Sequence, residues 1–167
     1  EASMRRFAHY DYWSDSVKPS WLVEGVADLL VYGMAELTLQ EVAAILAGGG
    51  TVADCRQVLG LAYLLPLGSP LPQRRALEIP SLKQVRSSKR AFAKAFQQID
   101  REQNFYDGKM LLQRHNEVYL VVNPPQRPLT TPEMDEIYEL PFTNSWHSSY
   151  DALGGVPALA EVEFSLL

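Results

Sequence analysis

Apolar residues along this chain follow two rhythms, and their alternation sets out the elements. The run Ala27-Asp28-Leu29-Leu30-Val31-Tyr32, closed by Gly33, predicts a short buried strand of the parallel-sheet kind. Behind it Leu37, Leu39, Val42, Ile45 and Leu46 recur at helical spacing. Thr38 and Glu41 have the spacing of a capping box, and Gly48 to Gly50 supply a stop. Strand, glycine turn and helix together read as one βα unit. Leu61 to Leu65 reads as a second strand, followed from Pro66 to Pro80 by a connector carrying four prolines and one glycine.

Ser81 opens the clearest helix, with Gln84 completing a capping box and Leu82, Val85, Phe92, Phe96 and Ile99 on one face as far as about Asn104. Met110 to His115 and Val118 to Val122 read as a hairpin turning at Asn116-Glu117. Asn123 to Pro128 holds too many prolines for a ladder and is expected as extended loop. Thr131-Pro132-Glu133 starts a helix whose apolar positions are Met134, Ile137 and Tyr138, and Pro141 ends it. Residues 143–160 read as irregular, and Val162 to Leu166 alternate as a strand does.

Composition narrows the chemistry. The 167 residues are 47% apolar and 21% charged, which suits a folded chain. No apolar run approaches the ~18–20 residues of a membrane span. The net charge of −5 opposes general attraction to phosphate backbones. Yet residues 73–94 carry seven Lys and Arg against Glu78, so 7 − 1 = +6, which leaves −11 elsewhere. On one continuous helix Lys83, Arg86, Arg90 and Lys94 would share a face, either as a nucleic-acid patch or as a solvated or docking face. Cys55 is the single cysteine, too few for an internal disulfide or an iron–sulfur cluster, and is expected as a packed thiol. The lone thiol and the lack of a secretory pattern at Glu1 to Met4 make the cytoplasm the expected compartment. The apolar ending reads as a strand cut short, and the chain is expected to be a piece of a longer protein.

The densest chemical cluster is Ala8-His9-Tyr10-Asp11-Tyr12-Trp13-Ser14-Asp15. It reads either as a ligand-pocket wall or as a helix start with aromatics filling core. His147, inside Trp146-His147-Ser148-Ser149-Tyr150, is the other imidazole in a segment of site-like composition, whereas His115 is expected as a hairpin residue. Gly33 to Glu36 matches no phosphate loop and reads as a tight turn with Glu36 at a helix start.

The stretch from Glu1 to Asp15 resembles the signature of YgiQ-type radical SAM proteins, an uncharacterised family. Ala27 to Gly33, Arg127-Pro128-Leu129-Thr130-Thr131-Pro132-Glu133-Met134-Asp135, Glu139 to Thr143 and Val156 to Ser165 are similar in the same order. The βα unit is also similar to the last unit of cobalamin-binding-like domains. The resemblance implies an α/β fold. Residues 1–65 would be the end of a Rossmann-like lobe, 66–160 a proline-rich connector with an α+β segment and hairpin, and 161–167 the first strand of a radical SAM barrel. It implies a [4Fe–4S] cluster and S-adenosylmethionine in the parent protein and neither in this piece, whose partner would be the barrel of the same chain. The expected role is to cover the barrel mouth, with His9, Tyr10, Tyr12, Trp13 and His147 facing the substrate pocket and no catalytic or metal-binding residue of its own. The alternative is a binding module, for tRNA or another macromolecule, using the basic residues 74–94. Cobalamin binding by the βα lobe is a third reading.

Overall fold

The computed structural model describes residues 3–25, 27–143 and 145–162. The chain packs as two units, Glu1–Pro128 and Leu129–Leu167.

The first unit begins with a two-stranded antiparallel hairpin, β1 (His9–Asp11) and β2 (Ser16–Lys18). A single turn, α1 (Trp21–Glu24), follows, capped by the Ser20 hydroxyl. Next come β3 (Leu29–Val31), α2 (Glu36–Ala47), a 3-10 turn (Asp54–Gln57) and β4 (Leu61–Pro66). The chain continues through β5 (Ala76–Ile79), α3 (Leu82–Ser87), α4 (Lys89–Arg101), β6 (Met110–His115) and β7 (Val118–Val122). Five strands form one sheet in the order β3-β4-β7-β6-β5, antiparallel except for the parallel pair β5–β6. The fold is mixed α/β, and the hairpin at Asn116 forms, with that residue at φ +52°.

Burial is nearly continuous along β4 and β6, and successive side chains point to opposite faces, so the sheet is covered on both. Ala62, Leu111, Leu120 and Val122 lie with Phe7, Leu22, Leu82, Val85 and Ala95, under the N-terminal segment and α3–α4. On the opposite face Tyr63, Leu65, Met110, Leu112 and Val121 form one cluster, and Leu61 packs with Cys55, Val58, Val42 and Ile45 from the α2 side. Cys55 is fully buried, and its Sγ donates to Thr51 O at 3.6 Å.

Four local readings change in the structure. Thr38 does not cap α2: Ala35 precedes the helix, and the buried Thr38 hydroxyl donates to Leu59 O at 2.9 Å. After α2 the chain turns back through Gly48–Gly50 and the 3-10 turn, so β4 returns antiparallel to β3 instead of closing a parallel βαβ crossover. The connector contains β5, in the proline-free run between Pro72 and Pro80, and β4 lies between β3 and β7, so the sheet is continuous across residue 65. The long helix from Ser81 is two helices. Ser88 is extended (φ −148°, ψ 116°), and its hydroxyl accepts from Ala91 N, capping α4, while Ser81 and Gln84 form the expected box on α3. The break also displaces Phe96, which is 67% exposed, because α4 packs through Phe92, Ala95 and Ile99.

The second unit holds α5 (Thr131–Tyr138), a 3-10 turn (Ser148–Leu153) and α6 (Pro157–Val162). The cap of α5 is Thr130, one residue earlier than expected, whose N–H and hydroxyl both donate to Glu133 Oε2 at 2.8 Å. Of the strand expected at 161–167, Glu161 and Val162 close α6, and residues 163–167 lie outside the described residues.

Candidate functional site

The cluster at residues 8–15 is the β1–β2 hairpin, neither a helix start nor a core. Its tight turn explains both acids. Asp11 accepts from Ser14 N at 3.1 Å and from the Ser14 hydroxyl, which holds its carboxyl below the usual range. Asp15, at φ +45°, accepts the Tyr10 hydroxyl proton at 2.6 Å, and that bond to a carboxylate raises the Tyr10 phenol above its ordinary value. His9 Nδ1 donates to Phe7 O at 3.1 Å. The aromatics are left to solvent. Tyr12 and Trp13 are 69% and 81% exposed, with ring centroids 4.9 Å apart.

Against this hairpin lies the α3–α4 joint. Arg86 Nε donates to Val17 O at 2.9 Å, tying β2 to α3. Between them runs a groove of about 830 Å³ walled by Tyr10, Asp15 and Val17 on one side and Arg86, Lys89 and Phe92 on the other. Two sequence features read separately, the aromatic cluster and the basic segment, therefore make one surface. Arg90 and Lys94 belong to α4, so the continuous basic face of four residues does not form.

Sequence reasoning missed the polar groups beneath this surface. Gln113 is fully buried; its Oε1 accepts from Ala8 N at 2.8 Å and lies 3.1 Å from His115 Nε2, and its Nε2 donates to Pro80 O at 3.0 Å. Burial, with the Arg86 charge nearby, pushes the His115 imidazole down to about 4. It is neutral at pH 7, with Nε2–H toward Gln113 and Nδ1 without a partner. At the other end Arg6 is buried over the Tyr32 ring, 4.4 Å from its centroid, and burial lowers its pKa. The Tyr32 hydroxyl donates to Asn123 O, while Asn123 Nδ2 donates to Arg56 O and Val58 O. No periodicity or motif signals either network, since each joins residues far apart in the chain.

His147 lies in the second unit. Its Nδ1 accepts from Ser149 N at 3.2 Å, and Trp146 Nε1 donates to Asp151 at 2.8 Å, so this segment is a capped 3-10 turn. Gly33 sits at φ +71° and Glu36 opens α2, which is the tight turn expected. Cys55, alone and buried, does not fit an iron–sulfur cluster, which needs several thiolates at one point. Among the described residues no group of three His, Cys, Asp or Glu could hold a metal ion, and no helix is long and apolar enough to cross a membrane.

A mixed α/β module with an aromatic hairpin and without cluster ligands is the class that fold and site define. The chain belongs to the Radical SAM N-terminal family, which matches residues 1–165. It is 45% identical over 166 residues to a UPF0313 protein of Clostridium botulinum (strain 657 / Type Ba4), covering 99% of this chain and 26% of that one. A UPF0313 protein of Methanocella arvoryzae is 46% identical over 166 residues (99% and 27%), and one of Clostridium perfringens (strain 13 / Type A) is 42% identical over 167 residues (100% and 25%). The chain thus spans about a quarter of the length of the curated relatives it matches. No solved structure matches it.

Proposed function

We propose that this chain is an accessory region of a radical SAM enzyme. It would cover the mouth of a catalytic barrel carried elsewhere in the polypeptide, shaping the substrate pocket and keeping water from a radical intermediate. The observation that carries this reading is the family match over residues 1–165, in a chain about a quarter as long as its relatives and with one cysteine. The [4Fe–4S] cluster and S-adenosylmethionine then belong to the rest of the protein, where they supply reductive cleavage. The chain's own part is to present His9, Tyr10, Tyr12, Trp13 and His147 toward the pocket. A single buried thiol suits the reducing cytoplasm.

The test uses the full-length protein with its cluster reconstituted. Tyr12→Ala with Trp13→Ala is expected to leave iron content and the absorbance near ~400 nm unchanged while altering the rate of S-adenosylmethionine cleavage by about threefold or more. An unchanged rate counts against a covering role for the hairpin. The isolated chain is expected to be colourless and to bind no S-adenosylmethionine, and a brown, iron-loaded monomer would overturn the proposal outright.

A further inference from the structure

We propose that the groove between the β1–β2 hairpin and the α3–α4 joint binds a single-stranded polynucleotide. Charge is the first reason. Arg86 and Lys89 line this groove, and two smaller grooves of about 290 and 490 Å³ continue from it past Lys83 to Arg114. None of these four cations has a carboxylate partner among the described residues. The acids lining the three grooves are Asp15, already bonded to the Tyr10 hydroxyl, and Glu117. A chain of net charge −5 therefore gathers cations without carboxylate partners along one path, Arg86 and Arg114 each held by a backbone carbonyl. Such a path fits a ligand with several phosphates in succession better than one carrying a single anionic group.

Stacking is the second reason. Tyr10 and Phe92 contribute to the groove walls, and Tyr12 and Trp13 stand exposed at the tip of the same hairpin. Aromatic faces beside a basic track are what unpaired bases need, since each base offers a ring face and each phosphate a charge. A duplex keeps its bases stacked on one another and cannot use those rings. An acidic peptide could use the cations but not the aromatics. The guanidinium is also set in place: Arg86 Nε is fixed on Val17 O, which leaves its terminal nitrogens for a phosphate.

Binding does not depend on the accessory role. A full chain that binds polynucleotide while hairpin substitutions leave S-adenosylmethionine cleavage unchanged would sink the first proposal and keep this one. Fluorescence anisotropy of the full chain with labelled twelve-nucleotide oligo(U) and oligo(dT), a duplex of equal length and a polyglutamate peptide provides the test. Single strands are expected to bind in preference to the other two. Three phosphate contacts predict a log–log salt slope of about −2, or about 15-fold weaker binding for a fourfold rise in salt. Lys83→Glu with Lys89→Glu should flatten that slope, and Trp13→Ala should weaken binding about fivefold or more with the slope unchanged. Arg101→Glu, on the exposed end of α4, is the control and should change binding by less than about twofold, a solvated cation being worth little. Arg86 is left intact because it ties the hairpin down. The proposal is overturned if single strands do not bind at low salt, if the duplex or polyglutamate binds equally well, or if binding ignores the Lys83, Lys89 and Trp13 substitutions.

Discussion

Gln113 puts a primary amide inside an apolar layer, and each of its polar atoms there is used. It joins the N-terminal segment at Ala8, the start of α3 at Pro80 and the His115 ring. Gln113→Leu would keep much of the volume and leave the Ala8 N–H, the Pro80 carbonyl and His115 Nε2 without partners. Orphaned buried groups cost ~1–3 kcal/mol each. The variant is therefore expected to lose at least about 3 kcal/mol in urea unfolding with an unchanged m-value. A loss below about 1 kcal/mol would mean that water replaces the amide. None of this was legible in the sequence, where Gln113 is one more residue of a strand and its partners are 105 and 33 positions away.

At the scale of elements, caps and close approaches decide the layout. Ser88 stops one helix and starts the next, and Ser88→Ala removes its bond to Ala91 N, for an expected loss of about 1 kcal/mol. Ser87→Ala, whose hydroxyl donates to Gln84 O on the exposed surface, should cost less than about 0.5 kcal/mol. Comparing the two by thermal unfolding separates the cap from a general effect of serine loss. Gly60 is a crossing point. It lies at φ +72°, and a Cβ there would come 2.6 Å from Thr38 Oγ1. Gly60→Ala is expected to destabilise by about 2 kcal/mol, with partial recovery in the double variant with Thr38→Ala. The Ser81–Gln84 box, the β6–β7 hairpin and the α2 stop were legible because each is settled within a few residues. The Ser88 break was visible only as a pair of serines, and β5 was hidden between prolines that lie just outside it.

For the whole molecule, pH acts through two windows. The His115 pKa falls from 6.5 to about 4 on folding, so between those values the unfolded chain holds a proton that the native chain lacks. Above about pH 6.5 the ring is neutral in both states and costs nothing; as pH falls toward 4 the native state is penalised by up to about 3 kcal/mol. Asp11, Asp54 and Glu102 are held below their ordinary values by bonds from Ser14, Thr51 and Lys109. What they contribute is present above the unfolded carboxylate range and disappears only below it. Denaturant midpoints measured from pH 7.5 to 3 should therefore fall in two stages, and His115→Phe should remove the upper one. An upper stage that survives the substitution would place the titrating group elsewhere.

The sequence by itself determined most of the longer elements, the Ser81–Gln84 cap, the β6–β7 turn, the family motifs and the shortage of cluster ligands. Those properties rest on spacings of two to four residues or on the count of one residue type. Tertiary structure alone decided the strand order, the antiparallel return of β4, the Gln113–His115 network and the meeting of the aromatic hairpin with the basic α3–α4 joint. Contacts between distant segments depend on which sheet face each residue occupies and which strand lies beside it, and no local periodicity encodes that neighbour.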